Sequence, residues 1–150
     1  MTDQDQAQTF EVRPRRSRIV ACVVAALVLV AHVVVGLLLR MGGNTGVYFR
    51  WEDQAALMCI GVVLAGGVLM FTRPRLRIGP DGVAVRNAGG EHVFPWDVVR
   101  GFSFPDGAPW AHLELPDYEY VSVMAIQSND GELAVEAISR ARELTAYYLD

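Results

Sequence analysis

Two long stretches of unbroken apolar sequence constrain this chain more than any other feature. Ile19 to Leu39 is interrupted by one polar residue, His32, and Ala55 to Phe71 contains none. About 20 apolar residues in helical geometry cross the hydrocarbon core of a bilayer, and the first stretch meets that length. The second lies at the short end of the range, with Gln54 and Thr72 extending it into the interfaces. The residues left after Thr72 are too few to bury two such helices in a soluble core. The sequence therefore predicts transmembrane helices over 19–39 and 55–72, joined by an extracytoplasmic loop over 40–54. A cytoplasmic tail over 1–18 precedes them, and a small domain over 73–150 follows.

Arginine placement gives the pair an orientation. Arg13, Arg15, Arg16 and Arg18 precede the first stretch, and Arg73, Arg75 and Arg77 follow the second. Arg40 and Arg50 in the intervening loop are balanced by Glu52 and Asp53. The positive-inside bias then places a multi-pass protein in the cell membrane with both termini cytoplasmic. Tyr48, Phe49 and Trp51 would sit in an interfacial aromatic belt. A cleaved signal peptide is the alternative, with Arg15-Arg16 faintly like a twin-arginine address. The apolar stretch is too long for a signal core, however, and Arg40-Met41-Gly42-Gly43 is no small-x-small cleavage site.

Within the predicted hairpin, Ala21 and Ala25 on the first helix and Gly61 and Ala65 on the second repeat at helical spacing. Ala25 would meet Gly66-Gly67 at similar depth, with homodimerisation through the same face as the rival use. Cys22 and Cys59 lie too far apart along an antiparallel pair for a disulfide, and read as small buried apolar residues. His32 is the one ionisable group inside either stretch, which marks it as a functional candidate. A proton relay needs a second titratable group, and the second stretch offers none. A neutral His32 bonded to a helix carbonyl is the alternative.

After Thr72 the pattern changes to short alternating runs, the signature of strands. Leu76 and Ile78 alternate with arginines, and Pro80-Asp81-Gly82 then makes a turn. Val83 and Val85, His92-Val93-Phe94, Phe102-Ser103-Phe104, Trp110 to Leu115, and Tyr120 to Val123 supply further strands. Asn129 or Asp130 can cap a closing helix. Its stripe of Leu133, Ala134, Ala137, Ile138, Ala141, Leu144, Thr145 and Tyr148 repeats every 3.6 residues. About six strands and one amphipathic helix predict an open β-barrel or sandwich with the helix across its open end.

The stretches Arg73-Pro-Arg-Leu-Arg-Ile-Gly-Pro-Asp-Gly-Val-Ala-Val-Arg-Asn, Phe94-Pro-Trp-Asp-Val-Val, Ala125-Ile-Gln and Asp130-Gly-Glu-Leu-Ala-Val-Glu-Ala occur in that order. This part of the chain resembles bacterial pleckstrin-homology-like domains, most nearly the actinobacterial low molecular weight protein antigen 6 group. The resemblance covers Arg73 to Tyr148, and the two preceding spans also resemble that group's arrangement. It implies a seven-stranded fold, one strand more than the sequence displays. Phosphoinositide-binding members carry a basic cluster in the first hairpin loop. Here that loop is read as Pro80-Asp81-Gly82, so inositol-phosphate binding is not implied.

Composition narrows the chemistry. All thirteen basic residues are arginines, and the segment from Arg73 onward carries seven Arg against twelve Asp and Glu. Such an acidic domain argues against a nucleic-acid partner. His112 with Glu114, Asp117 and Glu119 reads as a solvated acidic edge rather than a metal site. No catalytic, cofactor or metal constellation can be assembled, so no enzyme is expected. Arg73, Arg75 and Arg77 are candidate contacts to anionic lipid headgroups, and Trp110, His112 and Tyr120 a candidate partner patch. The expectation is a membrane-anchored interaction or scaffold module whose candidate partners are the bilayer, a membrane or cytoplasmic protein, and a second copy of the chain. The alternative is an accessory subunit of a transporter or channel with His32 in the membrane path.

Overall fold

The computed structural model describes residues 9–41 and 50–150. The chain forms two compact units: Ser17–Thr72, and the residues up to Arg16 together with Arg73–Asp150.

The first unit is a helical hairpin of α1 (Arg15–Met41) and α2 (Trp51–Leu69), closed by a 3-10 turn at Met70–Thr72. Both helices begin before their apolar stretches. At α2 the cause is local: Glu52 and Asp53 suit the positive end of the helix dipole, and Asp53 Oδ2 accepts the Arg50 N–H at 3.0 Å. Tyr48 and Phe49 lie outside the described residues, while Trp51 is exposed.

Small residues make the seam. The buried positions are Ala21, Ala25 and Gly36 on α1, and Gly61 and Ala65 on α2. A methyl group built on Gly36 would approach Met58, Gln54 and Leu57, and one on Gly61 would lie 2.8 Å from the His32 ring. These levels run in opposite directions, so the helices are antiparallel. Gly66 and Gly67 are not at the seam opposite Ala25, because a methyl on either would meet nothing within 4 Å. Each helical step rotates by about 100°, so turning Ala65 inward carries its two neighbours away. Cys22 and Cys59 are free and exposed on the outer surface rather than buried.

The second unit contains seven antiparallel strands in two sheets, with a C-terminal helix. The first sheet has the order β1 (Phe10–Val12), β2 (Arg75–Gly79), β3 (Gly82–Asn87) and β4 (Gly90–Phe94). The second has the order β5 (Gly101–Ser103), β6 (Trp110–Glu114) and β7 (Tyr120–Gln127), and α3 spans Glu132–Leu149. The strand hidden from sequence reading is β1. It pairs Phe10 with Ile78 and Val12 with Leu76, from the opposite side of the hairpin in sequence. The hairpin is therefore an insertion between the first two strands. Pro80-Asp81-Gly82 consequently closes β2 onto β3 and is not the first loop of the fold. Two residues beyond the Val12–Leu76 pair, Pro14 and Pro74 are both fully buried. Neither has an N–H, so the ladder stops where the chain departs and returns.

The core gathers Leu76, Ile78, Val83 and Val85 from the first sheet and Phe102, Ala111, Leu113 and Val123 from the second. α3 buries Ala134, Ala137, Ile138, Ala141, Leu144 and Thr145. Leu133 falls just off this stripe and is 45% exposed, contrary to its expected place. α3 is capped by Gly131 rather than by Asn129 or Asp130. The buried Asp130 instead accepts the backbone N–H of Arg16 at 3.2 Å, and Arg16 Nη1 donates to the Asn129 carbonyl at 2.9 Å.

Two side chains tie separate elements together. Trp96 donates Nε1–H to the Gly79 carbonyl at 3.0 Å and stacks on Tyr148 of α3 at 4.9 Å between ring centres. Asn87, at the end of β3, donates to the Ser122 carbonyl at 2.7 Å and accepts the Met124 N–H at 3.2 Å. The β6–β7 register shifts just beyond this point, between Trp110 and Ala111. The Asn87 amide thus serves backbone groups of β7 beside the irregularity.

Two stability predictions follow from these contacts. Asn87→Ala should lower unfolding stability by about 2 kcal/mol, because it leaves a part-buried N–H and C=O unpaired. Thermal melts of the full chain in detergent, read by circular dichroism, will show whether it does. Gly61→Ala should force His32 and the helices apart and lower the melting point, whereas Gly66→Ala should leave it within experimental scatter.

Candidate functional site

Strand alternation gives each sheet an outward face, and the two faces differ in how their charges are used. On the first sheet Glu11, Arg75, Arg77 and Glu91 point away from the core. Arg77 pairs with Glu91 at 2.7 Å, and Arg75 with Glu91 at 3.3 Å and with Glu11 at 4.0 Å. Arg13 pairs with Glu11 at 2.7 Å. The candidate headgroup contacts are therefore not equivalent. Arg75 and Arg77 are engaged by carboxylates, and Arg75 Nε is buried without a partner. Arg73 forms no ion pair among the described residues.

Glu91 is the electrostatic centre of this face. Burial would raise its pKa, but the hydrogen bond and charge of Arg77, with those of Arg75, outweigh that and hold it below the usual carboxylate range. A depressed folded value means the pairing adds stability above about pH 4.3, the value for free glutamate. That contribution is lost as pH falls through the lower folded value. The natural chain should therefore lose more stability than Glu91→Gln on acidification. Parallel melting curves across that range would show that the pair contributes nothing.

The outward face of the second sheet carries Ser103, His112, Glu114, Tyr120 and Ser122, set by the register His112↔Ser122 and Glu114↔Tyr120. His112 stacks on Tyr120 with ring centres 4.1 Å apart and planes 11° from parallel. Beside them opens a cleft of about 500 Å³, whose lining includes Arg100, His112, Glu114, Glu119 and Tyr120. Of the sequence-predicted patch, the fold brings His112 and Tyr120 together. Trp110 is not part of the cleft lining, because it lies beyond the register shift, opposite Gln127.

Sequence reading missed Tyr118, which also lines the cleft and is the most exposed aromatic there, at 103% of its reference area. Its position comes from the β6–β7 connection. Asp117 and Tyr118 adopt φ of 58° and 61°, a left-handed conformation that costs non-glycine residues roughly 1–2 kcal/mol each. Bonds from the Leu115 N–H to the Glu119 carbonyl (2.9 Å) and from the Glu119 N–H to the Pro116 carbonyl (3.2 Å) hold the turn. Pro116-Asp117 is a local turn signal in the sequence, but it does not indicate which ring the turn exposes.

Among the described residues, no group of three His, Cys, Asp or Glu side chains is placed to hold a metal ion. In the hairpin, His32 Nδ1 lies 2.7 Å from the Val28 carbonyl. A carbonyl only accepts, so Nδ1 carries the proton and donates. With its ring against Gly61, the side chain has a structural place at the seam.

The family model for the bacterial PH domain matches residues 73–144. The match begins after the hairpin and so leaves out β1. The uncharacterized proteins Rv1417 of Mycobacterium tuberculosis and Mb1452 of Mycobacterium bovis are each 47% identical over 137 residues. The aligned region covers 91% of this chain and 88% of each relative, so the likeness includes the hairpin as well as the domain. No solved structure matches the chain.

Proposed function

Because the chain belongs to the bacterial PH-domain family, with a long apolar hairpin inserted between its first two strands, we propose that it is a membrane-anchored interaction module. The observation that carries this reading is what the hairpin leaves open. Its seam buries only small residues, while Leu27, Leu38 and Val63 are 62%, 61% and 72% exposed. Two helices long and apolar enough to cross a membrane, with their large side chains outward, suit a lipid surround. The arginines flanking the hairpin favour a topology with both termini, and hence the whole PH domain, in the cytoplasm.

The domain's role in this reading is binding, without catalysis. The cleft beside His112 and Tyr120 is open, and its lining supplies aromatic faces and charges suited to holding a partner surface. His32 acts as part of the anchor: its Nδ1–H is already bonded and its ring packs on Gly61.

A photo-crosslinking residue placed at Tyr120 in native membranes should capture a discrete partner band. The same residue at Val93, exposed on the other sheet, should not. Equal capture from both positions, or capture from neither, would count against the module. Reporter fusions should place both termini in the cytoplasm, and an external terminus would refute the proposed topology.

A further inference from the structure

The two outward sheet faces point to the chemistry of what the cleft holds. On the first sheet the acids are consumed: Glu11 and Glu91 are both in ion pairs with arginines of the same face. At the cleft they are not. Glu114, Asp117 and Glu119 lie in its lining, and among the described residues none of them forms an ion pair. Among the described residues Arg100 is the one arginine in the lining, so three carboxylates face a single guanidinium.

Aromatic faces stand among these carboxylates. Tyr118 projects fully into solvent, and Tyr120, 58% exposed, is fixed by its stack on His112. A flat cation that donates several hydrogen bonds satisfies both features together, since guanidinium pairs with carboxylates in its plane and stacks through its face. We propose that the cleft between the β6–β7 turn and strand β5 takes an arginine-bearing basic segment of a partner protein. This rests on the interaction-module reading and names the partner's chemistry.

Other occupants fit less well. Anionic headgroups and nucleic-acid phosphates are repelled by the three unpaired carboxylates. An apolar helix would leave those carboxylates desolvated without partners. Lysine meets the charge but forgoes the planar stacking and the bidentate bonds.

The test uses the full chain in detergent micelles and a fluorescent twelve-residue peptide of alternating Arg and Gly. Peptides with Lys or Glu in place of Arg serve as comparisons. Saturable binding of the arginine peptide is expected, weaker binding of the lysine peptide, and none of the glutamate peptide. Rising salt should weaken it. Tyr118→Ala, and the pair Glu114→Gln with Glu119→Gln, should each lower affinity about tenfold. Glu91→Gln on the other sheet should leave it unchanged. All these positions are exposed or part-exposed, and melting curves will identify any variant that fails to fold. In that case the ranking of the three peptides by the natural chain decides. Absence of saturable binding, equal binding of the glutamate peptide, or equal affinity in the folded cleft variants overturns the proposal. If crosslinking from Tyr120 captures a partner while the arginine peptide does not bind, the module stands and only its partner's chemistry is refuted. Failure of both removes the two together.

Discussion

The pairing of β1 with β2 is the constraint on which the domain depends. Phe10 and Ile78 are partners across two apolar helices, and their side chains, with Val12 and Leu76, join one core cluster. A flexible loop of that length would oppose the pairing through closure entropy. The antiparallel hairpin changes the problem, because it returns the chain to the end from which it set out. The insertion thus brings the two strands of its host within reach. The buried prolines at positions 14 and 74 then mark where sheet ends and hairpin begins.

From that arrangement follows a division of labour among charged residues. β1 brings Glu11 to the first sheet, where Arg13 and Arg75 meet it, while Arg75 and Arg77 share Glu91. Arg75 and Arg77, which follow the hairpin in sequence, therefore crosslink β1, β2 and β4. A simple count of the arginines around the hairpin overstates how many are free of carboxylate partners. Arg73 lies outside this network.

Much of the architecture was legible in the sequence because it is written in periodicity. The apolar stretches, six of the strands and the helical stripe each repeat at the spacing their geometry demands. What was illegible is equally physical. β1 is three residues long and alternates through one cycle only, too short to stand above a polar tail. The Ala21/Ala25 and Gly61/Ala65 repeats do form the seam, but Gly66-Gly67 is not set against Ala25, because composition cannot tell which of three adjacent small residues turns inward. In the cleft, alternation along β6 suggested that Trp110 belongs with His112. The shift between Trp110 and Ala111 breaks that inference, and only the register reveals it. Tyr118 was hidden because a left-handed turn at two non-glycine residues leaves no compositional mark.

The same local strain bears on why the cleft reads as a site. Asp117 and Tyr118 hold an unfavourable conformation on an exposed turn, where no core contact rewards it. Neither Asp117 nor Tyr118 belongs to the hydrophobic cluster. Left-handed residues outside glycine persist where the surroundings over-determine them, and they concentrate at sites that bind. Here the over-determination comes from the two backbone bonds at Glu119, and its result is a tyrosine ring presented beside three unpaired carboxylates. The fold thus spends backbone strain on presenting that ring, which makes sense if something outside the chain receives it.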